Sequence, residues 1–274
     1  MNARTILSST SGFIAEAGFT HSLTPARNCT FGCTYCYVPT LGIYGGLKPE
    51  DWKRWGQFTT FKTNAAELLR RELRANQRIY CSPLVDPYQP AEAEARMMPA
   101  ILDGVIDSPP AIFTIQTRGP LILRDLEKLK KIPNLRVSFS ITTNREDVRR
   151  LYEPLCASID ARLETLRTLR DAGIECYATL SPLLPCDPEA LARLAIEATG
   201  RDLIGDPLHV RSVKPRGATT REAAWRIAEV HQSSEWLDRD FQFGIVERIR
   251  RVANEDGKTF EIGPCGFARL AALR

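Results

Sequence analysis

The residues best able to do chemistry in this chain lie in Cys29-Thr30-Phe31-Gly32-Cys33-Thr34-Tyr35-Cys36, where three cysteines form a C-x3-C-x2-C array. Three thiolates this close together can hold three corners of a [4Fe–4S] cube and leave the fourth iron without a protein ligand. An iron left open in this way can bind an exogenous molecule. The alternative is a structural zinc site, which normally takes four protein ligands. No cysteine or histidine close by in sequence supplies the fourth: His21 is the nearest candidate, and Cys81 and Cys265 could reach the array only through long-range folding. Cys156, Cys176, Cys186 and Cys265 are scattered and do not suggest a second cluster. Eight cysteines with no paired pattern argue for a reducing compartment rather than a disulfide framework.

Something must position that array. The chain has 274 residues, 43% hydrophobic and 26% charged, enough for one sizeable core in a single α/β domain. No apolar run suits a signal peptide or a membrane span, so a cytoplasmic protein with no membrane association is expected. The net charge of +4 is mild. Positive charge is denser at Arg211, Lys214, Arg216 and Arg221, which could meet a phosphate backbone or simply form a solvated loop and helix start.

Strand-like and helix-like segments alternate along the chain. Strands are expected near Phe19–Leu23, at Arg78–Ser82, Ala111–Arg118, Leu135–Thr142 and Ile174–Ser181, and near Leu208–Val213. Helices are expected around Asn64–Asn76, capped by Asn64, and around Ala91–Ile106, Leu123–Lys131, Arg145–Tyr152, Ile159–Ala172 and Pro188–Ala198. This order points to βαβ units and a parallel sheet. Two strands also alternate in polarity. Leu135, Val137, Phe139 and Ile141 oppose Arg136, Ser138, Ser140 and Thr142, and Ile174, Cys176, Ala178 and Leu180 oppose Glu175, Tyr177, Thr179 and Ser181. Strands of ordinary parallel sheets are apolar on both faces. A polar face opposite a helix-covered one implies a partly open barrel whose lumen is wet or holds a polar ligand; an antiparallel sheet with one face in water is the competing arrangement.

The cysteine array, with an aromatic residue before its third Cys, resembles the signature of the radical S-adenosylmethionine (SAM) enzymes. Further fragments follow in order: Val85-Asp86-Pro87-Tyr88-Gln89-Pro90-Ala91-Glu92, Gly119-Pro120-Leu121-Ile122-Leu123-Arg124-Asp125, Ser140-Ile141-Thr142-Thr143, Glu153-Pro154, Arg162-Leu163, Ala172-Gly173-Ile174 and Ser181-Pro182-Leu183-Leu184-Pro185. Over residues 20–200 these are similar to the spore photoproduct lyase-like branch, often called the SplB or "DNA repair photolyase" group. The resemblance implies a partial TIM-type (β/α)6 barrel with its core at about residues 18–215. A helical C-terminal extension at about 216–274 would complete a single domain. It also implies a [4Fe–4S] cluster, SAM, a reductant such as flavodoxin or ferredoxin, and reductive cleavage of SAM to a 5′-deoxyadenosyl radical that abstracts hydrogen from a substrate.

On that resemblance Cys29, Cys33 and Cys36 ligate the cluster, and the backbone of Tyr37 meets the adenine. Asp86 faces the SAM amino group. Arg118, where relatives usually carry Lys, pairs with the SAM carboxylate, and Ser140 and Thr142 hydrogen-bond its ribose or carboxylate. Arg162 is expected to anchor Glu153 or the loops beside SAM. In the lyase a strand cysteine, aided by tyrosines, returns a hydrogen; here Tyr35 and Tyr37 match the tyrosines, and Cys81 lies on the right strand with its facing undetermined. Cys265, flanked by glycines, could approach a site. No wedge for opening duplex DNA is evident after Gly200, where helices at Thr219–Gln232 and Trp236–Asn254 carry Arg248, Arg250 and Arg251. Three activities are therefore carried forward: a radical SAM enzyme acting on nucleic acid, one acting on a small molecule or peptide, and a non-catalytic Fe–S redox or sensor protein.

Overall fold

Polarity that alternates along the central strands gives each one face for helices and one for a lumen. The structure, a computed structural model, describes residues 1–40, 54–208 and 222–273. In chain order the strands are β1 (Leu7–Ser9), β2 (His21–Leu23), β3 (Ala26–Arg27), β4 (Thr60–Phe61), β5 (Arg78–Cys81), β6 (Ile112–Thr117), β7 (Leu135–Ser140), β8 (Cys176–Leu183), β9 (Leu203–Pro207) and β10 (Phe260–Ile262). Eight of them build one sheet in the order β1-β2-β5-β6-β7-β8-β9-β10, and β3 and β4 pair separately. Every neighbouring pair from β2 to β10 is parallel, and β1 runs antiparallel to β2 at the edge. The fold is α/β, with a mostly parallel sheet of the partial-barrel type.

Register places like faces together. Thr114 lies opposite Arg136, Gln116 opposite Ser138, and Ser140 opposite Thr179. On the other face Ile79, Phe113, Ile115, Val137, Phe139, Ala178 and Leu180 are buried beneath the helices. Helix Met97–Asp107 contributes Ile101, Leu102 and Val105, helix Ile159–Asp171 contributes Leu163, Leu166 and Leu169, and helix Arg239–Glu255 contributes Val246, Ile249 and Val252. Each large side chain so buried contributes about 1.5–3 kcal/mol relative to leaving it in water. Ser158 Oγ accepts from Ala161 N (3.2 Å), capping helix Ile159–Asp171, and Asp187 Oδ1 accepts from Ala190 N (3.0 Å), capping a further helix, Pro188–Thr199, with Pro188 in its first turn.

Several expectations change. Asn64 does not cap helix Ala65–Glu72. Its amide instead accepts from Ala3 N (2.8 Å) and donates to Ala3 O (2.9 Å), pinning the N-terminal segment. The single helix expected over Ala91–Ile106 is two, Glu92–Ala95 and Met97–Asp107, broken at Arg96, which adopts a left-handed φ of 48°. Glu92 then serves the second helix, accepting from Met97 N (3.1 Å) and Met98 N (2.9 Å). The strand β9, Leu203–Pro207, is not among those expected; of the strand expected near Leu208–Val213 only Leu208 is described and it is not in a strand, the rest lying, with the basic run Arg211–Arg221, outside the described residues. The C-terminal extension is not purely helical, since β10 returns to the sheet beside β9.

The polar face is not a lumen along its whole length. After β10 the chain folds back and lays Phe267, Leu270 and Ala271 against Tyr80, Ile112, Tyr177 and Ile204. Thr114 Oγ1 donates to Leu270 O (2.8 Å) and Arg136 Nη1 to Arg269 O (2.9 Å), while Arg136 also pairs with Glu175 (3.1 Å). The amino-terminal end of the barrel is therefore plugged by protein, and only its carboxyl end is left for a ligand.

On the opposite, helix-covered face Gly205 makes room for the Phe260 ring of β10. A Cβ there would lie 2.6 Å from the Phe260 ring and 2.9 Å from Leu180 O. Gly205→Ala is expected to destabilise the fold by about 1–3 kcal/mol through overpacking, read as a lower urea midpoint with an unchanged slope.

Candidate active site

The cysteine loop, Asp86, Arg118 and Glu153 come together beyond the carboxyl ends of the strands, where parallel α/β barrels carry their sites. The cysteine loop follows β2 and β3. Thr30 N donates to Gln89 Oε1 (2.7 Å) and Thr34 N to Tyr152 O (2.9 Å), so the loop backbone is held at two points. A third restraint is steric. Gly32 and Gly56, with φ of 60° and 94°, approach so closely that a Cβ on Gly56 would lie 2.7 Å from Gly32 Cα. No side chain but hydrogen fits at that crossing.

Cys29, Cys33 and Cys36 lie on this loop outside any disulfide, the first two buried. Burial, then the nearby Asp86 carboxylate, pushes the Cys29 thiol up. A hydrogen bond with Cys156 and the Arg118 cation pull the Cys33 thiol down. Arg118 Nη1 lies 3.5 Å from Cys33 Sγ. Three uncrosslinked thiols on a fixed loop, with a cation on one of them, fit an iron–sulfur cluster in donor chemistry and charge. Among the described residues no three His, Cys, Asp or Glu side chains converge on a single-ion site.

Arg118 is the hub. Its Nη1 also donates to Tyr35 Oη and Glu153 Oε1, and its guanidinium carbon lies 5.8 Å from the Tyr35 ring centre. Tyr35 Oη donates to the same Glu153 oxygen (2.5 Å), and the other Glu153 oxygen pairs with Arg162 Nη2. Burial alone would raise the Glu153 carboxyl, but Arg162, then Arg118 and the Tyr35 hydrogen bond, hold it down to about 2. Arg162 thus anchors Glu153, one of its two expected roles. Among the described residues Nε and Nη2 of Arg118 have no partner.

Asp86 accepts from Tyr88 N (2.9 Å), Thr117 Oγ1 (2.6 Å) and Arg118 N (2.8 Å). It locks the β5 and β6 ends together, and burial raises its carboxyl despite these donors. Tyr37 lies beside Cys36, and its Oη donates to Pro83 O (2.9 Å). Deeper in the lumen, Ser140 Oγ accepts from Gln116 Nε2 (2.9 Å), and Gln116 Oε1 accepts from Tyr80 Oη (2.7 Å) and Ser138 Oγ (2.6 Å). Ser140 therefore belongs to a protein hydrogen-bond layer. Thr142 Oγ1 is buried with no hydrogen-bond partner among the described residues, as is Asn28 Oδ1 beside Cys29. A buried polar atom without a partner costs about 1–3 kcal/mol, and a polar ligand at the carboxyl end would satisfy it.

Cys81 is not part of this site. Tyr80 takes the lumen face of β5, and Cys81 is fully buried among Leu23, Ile79, Phe113 and Ile115 under the helices. The two-residue period of a strand turns it away from any substrate in the lumen, so the hydrogen-return role suggested for it is corrected. Cys265 is exposed on the short helix Gly263–Phe267, which packs on β9 and β10. Arg248 and Arg251 both pair with Glu189, and Arg250 pairs with Glu247.

Gln89 and Cys156 hold places at this site that sequence reasoning missed, and Glu153 a more central one than expected. Gln89 sits inside the Asp86–Glu92 fragment, three residues from the aspartate that drew attention. Gln89→Ala would leave Thr30 N and the Asn28 carbonyl without their buried partner. The expected cost is about 1–3 kcal/mol, with fewer irons per chain after reconstitution than in the parent protein.

The model of the radical SAM superfamily matches residues 23–194. An uncharacterised protein of Methanocaldococcus jannaschii is 29% identical over 157 residues, covering 57% of this chain and 58% of that protein. An uncharacterised protein of Mycobacterium tuberculosis is 29% identical over 179 residues, covering 62% and 52%. The chain thus spans a little over half the length of the curated relatives it matches. Among solved structures, a spore photoproduct lyase variant superposes with a TM-score of 0.65 at 16% identity over 95% of this chain and 80% of that one. A second variant, with bound AdoMet and dinucleoside spore photoproduct, gives 0.62 at 16% identity over the same shares. At these identities the likeness is one of fold. Among the described residues no helix is long and apolar enough to cross a membrane.

Proposed function

The chain belongs to the radical SAM superfamily of enzymes, and on that premise we propose that it holds a [4Fe–4S] cluster and SAM at the carboxyl ends of its strands and abstracts hydrogen from a nucleic acid. The observation that carries this reading is a loop of three cysteines outside any disulfide, with the Arg118 guanidinium on one of them, at the open end of a plugged barrel. Cys29, Cys33 and Cys36 would hold the cluster. The chemistry the bound pair supplies is one-electron cleavage of SAM and hydrogen abstraction, fed by a small carrier such as flavodoxin or ferredoxin.

The chain's own residues bind and align. The open edge of Arg118 suits a carboxylate bidentately, and Thr142 Oγ1 supplies a further polar contact. Asp86 fixes the Arg118 backbone through its hydrogen bond to Arg118 N. With three donors already on it, the carboxylate still has lone-pair capacity for an ammonium. The protein layer of Gln116, Ser138 and Ser140 sets the floor of the site and excludes solvent from below.

Nucleic acid as substrate is supported by the fold shared with spore photoproduct lyase, one structure of which carries a dinucleoside. Direct reversal of a thymine crosslink is left out of the proposal, because Cys81 is turned toward the helices. A small-molecule or peptide substrate is the second reading, favoured by the pairing of Arg248, Arg250 and Arg251 with acids on the surface.

The test is anaerobic reconstitution followed by dithionite and SAM, with 5′-deoxyadenosine as the expected product. Deuterated oligonucleotides should then pass label into that product. Label drawn instead from deuterated peptides or metabolites would support the second reading, and a bound cluster that leaves SAM intact would argue for a redox sensor.

A further inference from the structure

The Glu153–Arg162 pair is almost fully excluded from water, with side-chain exposures of 0% and 1%, and Arg118 at 16% joins it to the cysteine loop. Two cations and one anion therefore lie in a line that ends on a sulfur, at the 3.5 Å contact from Arg118 Nη1 to Cys33 Sγ. Charges in such a place interact far more strongly than at a surface, where water and salt screen them. Reducing a cluster adds one negative charge, and hydrogen bonds to its sulfur ligands together with the local net charge set how readily that happens. A cation donating to Cys33 favours the reduced form. Glu153 opposes it and Arg162 offsets Glu153, so the balance at the sulfur is adjusted by a buried carboxylate that reaches Cys33 through Arg118 and meets the loop itself at Tyr35.

The choice of arginine fits this geometry. One nitrogen, Nη1, makes all the side-chain contacts to Cys33, Tyr35 and Glu153, which leaves Nε and Nη2 directed elsewhere. A lysine ammonium is a single point charge and cannot hold both positions in a fixed plane.

We propose that the Arg118–Glu153–Arg162 chain sets the reduction potential of the cluster, with the Arg118 hydrogen bond to Cys33 as its working end. The inference rests on the reading above that Cys33 ligates the cluster. Arg118 and Glu153 are positioning residues in this role, acting through a ligand.

The test is a potentiometric titration of the reconstituted full chain without SAM, followed by the EPR signal of the reduced cluster. Arg118→Gln removes a positive charge and is expected to make the midpoint more negative; Glu153→Gln removes a negative charge and is expected to make it less negative. Arg118→Lys, which keeps the charge and loses the fork, should fall between Arg118→Gln and the parent. It also keeps the test open should Glu153→Gln fail to fold. Midpoints of Arg118→Gln and Arg118→Lys equal to that of the parent, or shifts of Arg118→Gln and Glu153→Gln in the same direction, overturn the proposal while leaving the cluster assignment intact. A parent protein that takes up no cluster overturns both.

Discussion

Replacing Cys33 with alanine is expected to abolish cluster binding and, with it, formation of 5′-deoxyadenosine from SAM. The loop that carries Cys33 does not depend on the thiol for its shape. Its backbone is held by Gln89 through Thr30 N (2.7 Å), by the Tyr152 carbonyl through Thr34 N (2.9 Å), and by the Gly32–Gly56 contact. The variant should therefore fold and bind no iron, and Cys29→Ala and Cys36→Ala should behave alike. Cys156 is the informative comparison, because its thiol hydrogen-bonds Cys33 without belonging to the array. Cys156→Ser is expected to retain both iron and SAM cleavage. Full iron content in Cys33→Ala would remove the three-thiolate assignment, and loss of iron in Cys156→Ser would mean that four cysteines, not three, hold the metal.

Glu153→Ala should produce the largest loss of stability. The substitution leaves Arg162, with 1% side-chain exposure, as an unpaired buried cation, and breaking a buried pair by removing one partner costs about 3–5 kcal/mol. The same carboxylate predicts a pH dependence. Its native pKa, held to about 2, lies below the unfolded value of about 4.3. Folding thus favours the charged form, and the stabilisation is complete above the unfolded value and lost as pH falls toward the native one. Urea unfolding at stepped pH should show the parent losing stability across that window, with the loss absent in Glu153→Gln. A drop below about 1 kcal/mol for Glu153→Ala at neutral pH would place the pair among weak surface bridges.

How far the site could be read from the chain depended on distance along it. The cysteine array is local, so type and spacing sufficed to define it. The alternation in β7 and β8 is also local, and it correctly separated a helix face from a lumen face. Cys81 could not be oriented because β5 reads Arg78-Ile79-Tyr80-Cys81, with apolar residues on both faces and no alternation to fix parity. Asn64 has the side chain of a helix cap, yet a tertiary partner at Ala3 takes its amide. Arg96 interrupts the expected helix three residues before Pro99. That proline has no N–H to donate to the Ala95 carbonyl and is tolerated only in the first turn of a new helix, a local signal that the apolar periodicity overrode. Glu153 and Gln89 act across 118 and 59 residues of chain, on Tyr35 and Thr30, a separation at which residue type alone gives no pairing. The plug formed by residues 267–271 was hidden for the same reason, since what it offers Thr114 and Arg136 are the backbone carbonyls of Leu270 and Arg269, which every residue possesses.

The clasp at the foot of the barrel has a consequence for how the protein comes into being. Phe13 meets Phe267 edge to face at 5.1 Å, and Thr114 reaches Leu270 across 156 positions. Loops of that length are slow to close. On a ribosome the sheet would have to wait, open at its base, until residues 267–271 had emerged. Metal delivered before that moment would meet an unfinished vessel, so loading with iron is expected to follow synthesis of that segment rather than precede it.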